Sequence, residues 1–127
     1  MKKIAVIVLG YLTLLMSLVG CFYDKELDKN AGGLPTNVSL STDVQPIFTK
    51  NCALSGCHDS VPTYKPSLVV GNSYDALKSG GYLNEVVPNS GILYQHIASG
   101  EMPPGAPLTS RDLNMIIAWL SQGAKNN

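Results

Sequence analysis

The chain has 127 residues, about one domain by length, of which 45% are hydrophobic and only 14% charged, against a usual charged share of about 25%. Twelve glycines and eight prolines suit a compact, loop-rich domain and exclude a coiled coil or a solvated tail. Nine basic residues balance nine acidic ones, so there is no basic footprint and nucleic acid is excluded as a partner.

Lys2 and Lys3 precede an apolar run, Ile4 to Leu15, broken only by Gly10 and Thr13. This is the layout of a secretory signal. A membrane-spanning helix needs about 20 apolar residues, and this run, with Thr13, Ser17 and two glycines, falls short. It closes on Leu18-Val19-Gly20-Cys21, which resembles the lipobox of bacterial lipoproteins: small residues admit the peptidase, and the Cys21 thiol receives diacylglycerol. Residues 1–20 are therefore expected to be a lipoprotein signal peptide, with the chain held to the membrane through a lipid at Cys21. That implies the bacterial cell envelope, with the protein facing the periplasm or on the outer membrane; Phe22 after the cysteine, in place of an aspartate, favours the latter. From Cys21 onward seven cations face nine acids, a net charge of −2. Residues 21–38 mix charges without an apolar period and read as a lipidated tether. Residues 39–127 form the folded domain.

Four short helices and no strand are predicted there. The first starts at Ser41 or Thr42, with Thr42 and Gln45 as a capping box and Pro46 in the tolerant first turn. Val44, Ile47 and Phe48 form its apolar face. Next comes Cys52-Ala53-Leu54-Ser55-Gly56-Cys57-His58. A cysteine pair ending in Cys-His is the signature of covalent c-type haem attachment, usually with two residues between the cysteines; here there are four. Each thiol adds to a haem vinyl group, and His58, beside the second thiol, reaches the iron as an axial ligand. Ser55 and Gly56 let the longer spacer bulge. The competing reading is a disulfide, common for near cysteines in exported proteins. So small a loop adds little stability and leaves His58 without a purpose. A zinc site lacks a second Cys/His pair at ligand spacing.

The second helix is predicted over Ser73–Lys78, capped by Asn72 or Ser73 and stopped by Gly80-Gly81. The third follows Pro88-Asn89, carries Ile92, Leu93 and Ile97, and ends at Gly100. A second axial ligand must come from Met102, Met115 or His96. Met102 is expected in that role, because the Met102-Pro103-Pro104 loop is stiff enough to hold a flexible thioether. Met115 reads as partly exposed filler on the last helix, and His96 as a solvated or locally hydrogen-bonded side chain. That last helix is capped by Thr109, with Asp112 three residues on and Leu108 stapled to Leu113. Leu113, Ile116, Ile117 and Leu120 follow the i, i+3, i+4, i+7 pattern, and Gly123 marks the stop.

Several segments together resemble a small class I cytochrome c domain, of the kind found in bacterial lipoproteins and planctomycete-type cytochromes. They are Asp43 to Phe48, Asn51 to His58, Tyr74-Asp75-Ala76-Leu77, Val87-Pro88-Asn89-Ser90, Met102-Pro103-Pro104, Leu108-Thr109, Trp119-Leu120 and Gly123-Ala124. The likeness spans about Ser41 to Ala124, and the four-residue spacer is its departure from the usual pattern. It implies an all-α fold, four short helices around one covalently attached haem c, with Phe48 and Trp119 where the first and last helices cross. It also implies that His58 donates its other ring N–H to a carbonyl in a proline-containing loop. Pro66 of Lys65-Pro66-Ser67-Leu68 fits that place, with Leu68 packing on the haem and Pro62 as the competing proline.

His/Met ligation fills both axial positions, and methionine raises the potential. No carboxylate pair, nucleophile–base set or phosphate loop accompanies it. The expected function is a non-enzymatic, monohaem carrier of single electrons to or from a membrane-associated redox protein. Two alternatives stay open: a haem enzyme or gas/redox sensor whose Met102 leaves the iron, and a non-haem, disulfide-stapled interaction domain.

Overall fold

A computed structural model describes residues 33–127, so the expected signal peptide, Cys21 and most of the tether lie outside the described residues. Among those residues the structure is helical, with no strand. A π-helical turn, Leu40–Val44, runs straight into α1, Gln45–Asn51. Helix α2 covers Ser73–Ser79, a 3-10 turn at Pro88–Ser90 precedes α3, Ile92–Ala98, and α4 covers Ser110–Ser121. No helix among the described residues is long and apolar enough to cross a membrane.

The first helix begins before its predicted start, and the Thr42–Gln45 capping box does not form. Ser39 is the N-cap residue, and the orphan donors of a helix start find other partners. The Asp43 carboxylate accepts the Ser39 N–H at 2.8 Å. Asn127 accepts the next two, the Leu40 N–H on its side-chain Oδ1 at 3.0 Å and the Ser41 N–H on its main-chain oxygen at 2.9 Å. Gln45 is thereby released to turn inward, where it is buried. Its Nε2–H donates to the Leu68 carbonyl at 2.9 Å, and its Oε1 accepts the Ser73 hydroxyl. One amide thus joins α1, the start of α2 and the loop between them. Gln45→Ala leaves a buried carbonyl and hydroxyl without a partner, which costs about 2 kcal/mol or more. Thr42→Ala, on an exposed residue that caps nothing, leaves the urea midpoint within error of wild type.

Helix α4 matches its sequence pattern closely. Thr109 Oγ1 accepts the Asp112 N–H at 3.1 Å, and Ile116, Ile117 and Leu120 are buried together with Ala118 and Trp119. Trp119 meets Phe48 of α1 edge to face, with ring centroids 6.4 Å apart and planes at 84°, a favoured aromatic geometry. Both rings are fully buried, and the Trp119 indole N–H is satisfied by the Lys125 carbonyl at 2.9 Å. Val38 also packs into this core. Its N–H donates to Gln122 Oε1 at 3.0 Å, while Gln122 Nε2–H donates to the Pro35 carbonyl at 3.0 Å. The folded body therefore reaches back to Pro35.

Candidate functional site

The cysteine segment hangs from the end of α1. The Cys52 and Ala53 N–H groups both donate to the carbonyl of buried Phe48 at 2.8 Å, so Cys52 is anchored on a core residue. The four-residue spacer then closes on itself. The Cys57 N–H donates to the Leu54 carbonyl at 2.9 Å, and the His58 N–H returns to the Cys52 carbonyl at 3.2 Å. Gly56 takes φ +79° in this turn, a left-handed conformation that a side chain would oppose. Asp59 braces it from outside: Oδ2 accepts the Gly56 N–H at 3.2 Å and Oδ1 the Val61 N–H at 3.1 Å.

Both thiols are free, Cys52 partly buried and Cys57 exposed. Burial, reinforced by the neighbouring Cys57, pushes the Cys52 thiol from 9.0 up to about 11, so the two sulfurs sense each other across the turn. The unfolded chain loses this proton near pH 9 and the folded chain near pH 11. Stability is thus fully present below pH 9 and is lost as the pH rises through 11. Urea titrations at increasing pH should show this alkaline loss, and Cys52→Ala should remove it.

His58 is half-buried, with Nδ1 2.8 Å from the carbonyl oxygen of buried Pro66. A carbonyl only accepts, so Nδ1 carries the hydrogen and the neutral ring presents its lone pair at Nε2. Of the two prolines considered, Pro66 receives the ring. The loop is drawn tight by a second bond, from the Leu68 N–H to the His58 carbonyl at 2.8 Å. Leu68 itself is buried in the core and passes its own carbonyl to Gln45. Cys52, His58, Pro66 and Leu68 are therefore joined by hydrogen bonds at the end of α1, with Cys57 held in the same turn through Leu54.

Met102 comes from a separate element. Its N–H donates to the His96 carbonyl on α3 at 3.1 Å, and no hydrogen bond joins it to the Cys52–Leu68 unit. His96 makes the local bond expected of it, with Nδ1 2.7 Å from Glu101 Oε2. Met115 is half-buried against the core, as are Leu83, Leu93, Leu108 and Leu113. Among the described residues no three or more His, Cys, Asp or Glu side chains gather as a metal cluster. A groove of about 620 Å³ along α1 and α2, lined by Lys50, Tyr74 and Asp75 among others, includes none of the predicted site residues.

Two residues of the site escape sequence reasoning. Gln45 has the residue type and spacing of a helix cap, and only the tertiary fold turns it inward. Asp59, next to His58, carries the ordinary signal of an aspartate bridging local N–H groups. Two unbonded thiols at the ends of one closed turn and an imidazole in the tautomer that exposes Nε2 are groups that could hold a c-type haem, whereas the Met102 thioether lies on a separate loop. Comparison with protein-family profiles, with curated proteins and with solved structures finds no match.

Proposed function

We propose that this chain is a single-haem, class I cytochrome c-like domain that passes single electrons to and from a membrane-associated redox protein. The observation that carries the reading is the His58–Pro66 hydrogen bond beside the Cys57–His58 adjacency. That bond leaves the hydrogen on Nδ1 and the lone pair on Nε2, which is the tautomer an iron-binding imidazole needs. In this reading Cys52 and Cys57 would hold the haem through thioethers, and His58 Nε2 and the Met102 sulfur would bind its iron. Haem, when bound, supplies an iron that shuttles between two oxidation states. The chain's own residues set the terms of that exchange. Pro66 fixes the imidazole's tautomer and plane, Phe48 anchors the Cys52 end of the turn, and Met102 favours the reduced metal. With the imidazole and the thioether both committed to the iron, no position on it would be left for a substrate, which would favour a carrier over an enzyme. The Phe48–Trp119 contact between α1 and α4 supports the fold implied by the sequence likeness.

The test is a denaturing gel of the purified protein stained for haem peroxidase activity, alongside its reduced visible spectrum. The expected result is stain that stays with the polypeptide and the sharp bands of a low-spin c-type haem. A colourless, unstained protein overturns the reading. Anchoring is separable, since Cys21 lies in the leader–tether region and not in the domain. In cells fed labelled palmitate the wild type should incorporate label and Cys21→Ser should not, with the haem spectrum unchanged in both.

A further inference from the structure

The loop that carries Met102 is bound at two points to one residue. His96, in the last turn of α3, accepts the Met102 N–H on its carbonyl at 3.1 Å, and the same carbonyl accepts the Ser99 hydroxyl at 3.1 Å. The His96 side chain reaches the other way. Its Nδ1 lies 2.7 Å from Oε2 of Glu101, the residue immediately before Met102, and because an ionised carboxylate only accepts, Nδ1 is the donor. Gly100, at φ +75°, reverses the chain so that Glu101 can face back toward the helix. The Glu101 N–H closes the turn on Ser99 Oγ at 3.4 Å. The bonds from the Met102 and Glu101 N–H groups hold the segment only by its main chain. The side-chain bond from His96 to Glu101 ties it down at a further point and restrains its swing.

Resting on the haem reading above, we propose that His96 and Glu101 form a strap that positions Met102 and slows the departure of its sulfur from the iron. Neither residue touches the metal; both act through the loop. The pair is about half exposed, so its effect is modest and falls on the rate of loop opening.

The test uses the full-length, haem-bearing protein. Carbon monoxide is mixed with the reduced form, and its binding rate reports Met102 leaving. Glu101→Ala should raise that rate about two- to five-fold, the range of an exposed charged hydrogen bond. Glu101→Gln, whose side-chain oxygen still accepts from Nδ1, should restore the wild-type rate. Glu85→Ala removes a comparable surface pair, Lys78–Glu85 at 2.9 Å, and should leave the rate unchanged. A second readout needs no haem: deuterium exchange at the Met102 amide should speed up in Glu101→Ala and not in Glu85→Ala. Wild-type carbon monoxide binding and wild-type amide exchange in Glu101→Ala overturn the strap. A wild-type protein that carries no haem overturns the iron-ligand role instead, and faster exchange in Glu101→Ala then upholds the strap as a device of the loop alone.

Discussion

On the proposed haem reading, serine in place of Cys52 or Cys57 should remove one of two covalent links, and serine at both should remove attachment altogether. Oxygen for sulfur keeps the size and the hydrogen-bonding capacity of the side chain but cannot form the thioether. The backbone bonds that close the turn, from Cys57 to the Leu54 carbonyl and from His58 to the Cys52 carbonyl, do not involve the side chains and persist. The helical circular dichroism should therefore be retained, so any loss of haem reports chemistry and not unfolding. On denaturing gels each single variant should hold haem weakly or through one bond, with shifted visible bands, and the double variant should stain at background. Wild-type stain and spectrum in both single variants would falsify the attachment role of the pair.

On the same reading, Met102→Ala should remove the sulfur ligand of the iron. The backbone at this position stays pinned to the His96 carbonyl, so the substitution removes the sulfur and leaves the loop. If Met102 binds haem iron, the reduced variant should bind carbon monoxide readily and its potential should fall, because the ligand that favours reduced iron would be gone. The weak far-red absorption of a sulfur–iron bond in the oxidised protein should disappear with it. Met115→Ala should keep that band, since Met115 packs against the core on α4. His96→Ala should keep it as well, because the strap governs how fast the sulfur leaves and not which atom binds. A band that survives Met102→Ala and vanishes in Met115→Ala would assign the ligand to α4.

The parts of this fold that could be read from sequence are those whose causes are local. Helix α4 carries its cap, first-turn acid and apolar period within a dozen residues, and the structure reproduces each of them. The first helix was misplaced because two of its opening N–H groups are satisfied by Asn127, a partner no local window contains. Gln45 shows the same limit from the other side. A glutamine three residues after a threonine is a capping signal, and only the packing of Leu68 and Ser73 against α1 makes it a buried clamp. At the site, the Cys57–His58 adjacency is plain in the sequence. The closure of the four-residue spacer is not, because it depends on Gly56 adopting a positive φ and on Asp59 reaching both its flanks. Pro66 entered through the family likeness, and its distance from His58 is a property of the fold.

The contact between Leu40 and Asn127, 87 residues apart in sequence, also sets an order of events. A chain that emerges from its N-terminal side presents Cys52 and His58 long before it presents the residue that caps the helix leading to them. Contacts this distant in sequence form late, because the intervening loop must be closed first. Until Asn127 arrives, the Leu40 and Ser41 N–H groups lack their partners and the start of the first helix frays. The first helix to appear is the last to be completed.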